Sequence, residues 1–174
     1  MSVLLVVRHA AEGPGLLSWG LRAASALELP LEVIFCDAEA SEELVWRQEG
    51  DEPPVFLRDS KVRWGRVQVE TALRTVVDHV MAAGVKYVFT GKRNSGQEGK
   101  GSPERHLSRA LFEQVPCAVM VMRLPEGGES KGGRILVPAA GGPHSRTALE
   151  FAHKLVGGRT TAFFVEPYSD DVSR

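Results

Sequence analysis

Along most of the chain, short unbroken apolar runs alternate with longer stretches in which apolar residues recur every three or four positions. Val3 to Val7 is one such run, the pattern of a strand buried on both faces of a parallel sheet. Gly13, Pro14 and Gly15 read as a loop; Leu16, Leu17, Gly20, Ala23, Ala24 and Leu27 then share one helical face, and Pro30 stops the helix. Leu31 to Cys36 returns to the strand pattern and completes a β-α-β unit. Ser41 to Gln48 reads as a short helix capped by Ser41, with Leu44, Val45 and Trp46 as its apolar patch, ended by Pro53-Pro54. A weak strand is expected between Val55 and Val67. From Val67 to Ala83, the residues Val69, Leu73, Val76, Val77, Val80 and Met81 fall at helical spacing, and Gly84 is placed to close that helix. A strand over Tyr87 to Thr90, a helix carrying Leu107, Ala110 and Leu111, and a final strand from Ala118 to Arg123 follow. Alternation of this kind predicts an α/β fold with an open, doubly wound parallel sheet. Ligands of such sheets lie at the carboxyl ends of the strands, where the strand order reverses.

One connection is unlike the others. Between the strand ending at Gly91 and the helix after Pro103 runs a polar, glycine-rich loop with Lys92, Arg93, Asn94, Ser95, Gly96, Gly99, Lys100, Gly101 and Ser102. Glycines let backbone N–H groups come close to a ligand. The first N–H groups of a helix have no internal partner and offer a positive dipole end to an anion. Ser102 suits an N-cap, and Pro103 at the first helical position loses no hydrogen bond. Phosphate binding is the functional reading, and an ordinary connection that binds nothing is the bland one. The loop has neither the Gly-Lys-Ser/Thr of a Walker A motif nor a GxGxxG pattern.

Composition narrows the classes further. The chain has 174 residues, 43% of them hydrophobic and 25% charged, which suits a globular domain with a real core. A formal net charge of -1 supplies no general attraction to nucleic acid or anionic lipid. Cys36 and Cys117 sit in or beside apolar runs and read as buried thiols, and no Cys/His spacing suggests a metal site. The apolar start is too short for a signal peptide and no run approaches transmembrane length, so a cytoplasmic location is expected. His79 reads as a packed or solvated histidine, and Trp46 and Trp64 as packing residues or part of a partner surface. No activated nucleophile or paired general acid and base is visible, so an efficient enzyme is not indicated.

The stretch from Tyr87 to Arg123 resembles the universal stress protein family. That family has a strand, Gly-x-x-Gly, a spacer, Gly-Ser or Gly-Thr opening a helix, and a last strand of the form PCPVLVVR. Here Gly91 matches the first glycine, Gly101-Ser102 the closing pair, and Pro116 to Arg123 the last strand. Asn94 stands at the second glycine, and the spacer from Asn94 to Gly101 is shorter than the family's. Asparagine is the best substitute for glycine in a left-handed turn. The resemblance implies a five-stranded sheet of the adenine nucleotide alpha hydrolase-like kind, ATP with magnesium across the first and fourth strands, and a homodimer through the Ala118–Arg123 strand. By the same analogy Gly91, Asn94, Gly101 and Ser102 would hold phosphates, and Cys36 and Asp37 would lie near the base. Nucleotide-binding members carry an aspartate after the first strand, where this chain has Arg8; Arg8 could pair with a phosphate or fill the pocket.

After a Pro- and Gly-rich linker over 124–133, the pattern of the beginning returns: a strand over Arg134 to Pro138, a helix over Ser145 to Val156 and a strand over Thr160 to Val165. RILVPAAGGPHSRTALEFAHKL resembles the opening of a second domain of the same family, with Ala140 at the aspartate position. The expected organisation is a domain over 1–123 and a partial second copy, a β-α-β half-repeat, over 134–174. The implied function is a nucleotide-binding or sensory module in stress response or regulation, non-catalytic or weakly ATP-hydrolysing. A second reading is a degenerate regulatory or dimerisation domain that binds no nucleotide, as part of a bacterial membrane transporter. A third is set by Arg8-His9, which resembles the Arg-His-Gly start of histidine phosphatases, though no matching late histidine motif is present.

Overall fold

The computed structural model describes residues 1–47, 51–58, 60–91, 104–122, 135–139, 142–156 and 159–164. The chain divides into two compact units, Met1–Ser130 and Lys131–Arg174. The first holds β1 (Ser2–Val7), α1 (Gly13–Leu27), β2 (Leu31–Cys36), β3 (Val45–Trp46), β4 (Arg63–Val67), α2 (Ala72–Ala83), β5 (Val85–Gly91), α3 (Glu104–Gln114) and β6 (Ala118–Met122). The second holds β7 (Ile135–Ala139), α4 (Gly142–Val156) and β8 (Thr160–Phe164), with β7 and β8 paired in parallel.

The sheet of the first unit runs β3-β4-β2-β1-β5-β6, and every neighbouring pair is parallel except β3 with β4. The chain winds outward from β1 through β2 to β4, returns through α2 to β5 on the other side of β1, and ends at β6. The strand order therefore reverses between β1 and β5. This is the α/β, doubly wound, mostly parallel sheet that the sequence pattern predicts.

Period-two alternation along the strands divides the core between the two faces. Leu4 and Val6 of β1, Ile34 and Cys36 of β2, Val67 of β4 and Val88 of β5 form one buried cluster with Val76 and Val80 of α2 and Leu107 and Leu111 of α3. Leu5 points to the opposite face, where α1 crosses it at Gly20: a Cβ on Gly20 would lie 2.6 Å from Leu5 Cδ1 and 2.9 Å from its Cγ. A larger residue there would force helix and sheet apart. Every residue of β1 is buried, as expected of a central strand covered on both sides.

Several boundaries move from their expected places, each for a local reason. The described residues of the Ser41–Gln48 stretch, 41–47, do not form a helix. They include the two-residue strand β3, antiparallel to β4 with Trp46 opposite Gly65, which makes the sheet six-stranded rather than five-stranded. Gly65 carries no side chain, so Trp46 lies close over it, with Cε3 3.1 Å from where a Cβ would be. Val67 ends β4 instead of opening α2, because its backbone pairs with Cys36 and its side chain is fully buried. Helix α1 starts at Gly13, with Pro14 in its first turn, so the expected loop belongs to the helix. Gly13 is where the chain passes the Phe56 ring, 2.5 Å from a hypothetical Cβ. The helix ends at Leu27, where Glu28 takes a left-handed φ of 55°, before Pro30 is reached. Gly84 closes α2 in the left-handed conformation, φ 65°, as its position predicts.

Candidate functional site at the carboxyl ends of β1 and β5

Where β1 ends, Arg8 is only 9% exposed, and its Nη2 donates a 2.6 Å hydrogen bond to the carbonyl of Gly91, the last residue of β5. The chain then turns at once: Ala10–Glu12 is a short 3-10 turn closed by the Glu12 N–H on the His9 carbonyl at 3.0 Å, and α1 begins at the next residue. That tight exit brings the Glu12 carboxylate back over the end of β5. A Cβ on Gly91 would stand 2.6 Å from Glu12 Oε2 and 2.8 Å from its Cδ. Both Glu12 oxygens are buried and accept no hydrogen bond. A guanidinium and a carboxylate thus converge on the first glycine of the glycine-rich loop.

Cys36, at the end of β2, completes the cluster. Burial pushes its thiol up to about 12; the charge of Arg8 works against that shift and the charge of Glu12 adds to it. A thiol so placed stays protonated, which makes Cys36 a packing group and not a nucleophile. Thr90, fully buried, directs Oγ1 to no hydrogen-bond partner. Asp37 is used locally: its N–H donates to the Val67 carbonyl at 2.9 Å, and Oδ1 accepts the N–H of Glu39 at 3.1 Å. This is an aspartate-stabilised turn that shapes the β2 exit.

Of the residues singled out from sequence, the structure brings Arg8, Cys36 and Gly91 together at the reversal of strand order and directs Asp37 into its own loop. Asn94, Gly101 and Ser102 lie outside the described residues, as do Arg123, Ala140 and the linker over 124–133. Glu12 is the group that sequence reasoning missed. Its only signal is an acid immediately before Gly13-Pro14, the kind of residue favoured at a helix start.

A second polar cluster lies at the opposite end of the sheet. Glu32, near the start of β2, accepts hydrogen bonds from Ser2 Oγ at 3.1 Å and Arg63 Nη1 at 2.7 Å, and lies 3.0 Å from His79 Nε2 of α2. Burial raises the Glu32 pKa, but hydrogen bonds from His79 and Ser2 and the charges of His79 and Arg63 outweigh it and hold the carboxyl below its ordinary value. Trp46 covers this network, with its ring 5.1 Å from that of His79 and Arg63 Cζ 4.0 Å from its centroid. His79 is therefore a packed histidine that ties α2 to β2.

No protein-family model and no curated protein matches the chain. Among solved structures, a universal stress protein from Archaeoglobus fulgidus is similar over 70% of this chain and 97% of its own, at 14% identity and a TM-score of 0.47. A likeness of that size carries no argument about the site, and the fold assignment rests on the strand order itself.

Proposed function

We propose that the first unit is a non-catalytic sensory module of the universal-stress kind that takes an adenine nucleotide, with magnesium, across the carboxyl ends of β1 and β5. The observation that carries this reading is the position of Gly91. It ends β5 at the reversal of strand order, and the glycine-rich sequence over 91–102 leads from it toward α3. Arg8 supplies a buried positive charge beside that glycine, which fits an anionic ligand. The protonated Cys36, which is no nucleophile, favours sensing over turnover. Edge strand β6 would join two copies as a homodimer, and 134–174 would be the β-α-β half of a second copy.

Glu12 favours the second reading, a regulatory or dimerisation domain, in a membrane transporter for example, that has lost its nucleotide. A carboxylate against Gly91 repels phosphate at the point of closest backbone approach. Thermal-shift and calorimetric titrations with ATP, ADP and AMP plus magnesium separate the two. Stabilisation by ATP at sub-millimolar concentration, lost in Gly101→Trp, is the expected result, because a ligand that binds only the native state raises the melting temperature. Silence toward all three nucleotides would leave the regulatory reading.

A further inference from the structure

Along α2, a cavity of about 580 Å³ opens between the helix and the arm that carries β3. Its size is in the range of small-molecule sites. On the helix side its lining runs from Thr71, just before α2, to Ala82 in the last turn, about 16 Å of helix, so the cavity is a groove and not a round pocket. Leu44 and Trp46 supply the apolar part of the facing wall. That wall is tied in place: Thr71 Oγ1 donates to the Glu42 carbonyl at 2.8 Å, the Gln68 N–H donates to the Ser41 carbonyl at 2.8 Å, and β3 pairs with β4.

Charge along the groove is unbalanced. Glu42 and Glu43 on the arm and Asp78 on the helix line it, against one cation, Arg74; with the His79 ring neutral, two negative charges are left over. Among the described residues neither the Glu42 nor the Glu43 carboxylate has an ion-pair partner, and both residues are exposed, so a ligand can reach them. Arg74 approaches Asp78 only to 3.8 Å, too long for a hydrogen bond, and both side chains are exposed, so this pair is weak. The Arg63 guanidinium over Trp46 does not fill the deficit, because it is paired with Glu32 at 2.7 Å. Among the described residues no three His, Cys, Asp or Glu side chains converge closely enough to hold a metal ion. The negative charge is spread along the groove and suits an extended cation, not a point charge.

We propose that this groove binds a linear aliphatic polyamine, with its ammonium groups on the Glu42, Glu43 and Asp78 carboxylates and its methylene segments against Leu44 and Trp46. Ammonium groups separated by short apolar spacers match carboxylates that are separated by apolar wall, and each contact is a charge-assisted hydrogen bond. The carboxyl end of α2, toward which the groove runs, also favours a cation. This site shares no residue with the β1–β5 end of the sheet and does not depend on nucleotide binding there.

The test uses the full chain labelled with nitrogen-15, without nucleotide. Its three tryptophans each give one indole N–H resonance, and Trp46→Phe assigns the one in the groove by its loss. Spermine is titrated at constant ionic strength, with butylamine and magnesium chloride as parallel probes. The expected result is a saturable shift of the Trp46 resonance with a Kd of about 1 mM or tighter, which is within reach of a ligand of that size. Glu42→Gln with Glu43→Gln, both at exposed positions, should weaken binding about tenfold, while Glu113→Gln on α3 should leave it unchanged. Arg74→Gln removes the competing cation and should tighten binding. A Trp46 resonance that does not move, an equal response to butylamine or magnesium, full affinity in the double variant, an equal loss in Glu113→Gln, or no gain in Arg74→Gln would each overturn the proposal.

Discussion

The Glu12 carboxylate occupies the space into which any side chain at position 91 would grow, with Oε2 2.6 Å from the ideal Cβ position of Gly91. Gly91 is thereby the meeting point of opposite charges, since Arg8 donates a hydrogen bond to its carbonyl. If a nucleotide binds at the end of β5 as proposed, the balance between these two charges sets its affinity.

Two unit charges about 4 Å apart interact by roughly 4 kcal/mol at an effective dielectric of 20, and a third of that changes a dissociation constant about tenfold. Glu12→Gln is therefore expected to tighten ATP binding at least tenfold, and Arg8→Gln to weaken it by a similar factor. Calorimetry with magnesium-ATP measures both. If the two variants bind with the parent's affinity, neither side chain faces the nucleotide.

Gly20 tests the packing that sets the sheet against α1. Alanine would gain about 1 kcal/mol of helix propensity. Its methyl would, however, meet three carbons of Leu5, all within 2.9 Å, and overpacking of this kind costs about 1–3 kcal/mol. Gly20→Ala should lower unfolding stability by about 1 kcal/mol in urea, and a companion Leu5→Val should recover part of the loss. Additive losses in the double variant would show that the two residues do not compete for space.

Glu32 predicts a pH dependence. Its carboxyl titrates below the ordinary 4.5 in the folded state, so in acid the unfolded chain binds more protons than the native one. The stability this contributes is complete above pH 4.5 and is lost as the pH falls from there through the lower folded value. Glu32→Gln should cost about 1–3 kcal/mol at neutral pH, by weakening three charge-assisted contacts. The gap between variant and parent should close toward pH 3 in a urea series. A gap of constant size would mean that Glu32 acts through shape and not through charge.

Thiol chemistry reports on the other end of β2. With its thiol pushed up to about 12, Cys36 is thiolate in only about one molecule in ten thousand at pH 8. Cys117, also shifted upward by burial but less deeply placed, should be alkylated first in the native protein, and Cys36 only on unfolding. Peptide mass spectrometry after timed iodoacetamide treatment distinguishes them. Early labelling of Cys36 would show that the β1–β2–β5 end is open to solvent.

Strands β1, β2 and β5 and the closure of α2 at Gly84 were legible along the chain, because a continuous apolar run and a helix-ending glycine are local signals that need no partner. The α/β class followed from the alternation of such signals. The region between Glu39 and Val67 was not legible. There Trp46 becomes a strand residue only because Gly65, nineteen positions on, leaves room for its ring. The site shows the same division. Gly91 could be picked out by its place at a strand end before a glycine-rich loop, and Arg8 by the family resemblance, but the approach of Glu12 to Gly91, and the buried donors of Trp64 and Arg66, depend on which strands become neighbours. Strand neighbourhood is a long-range choice, made by burying several apolar faces at once, and no single stretch of this chain encodes it.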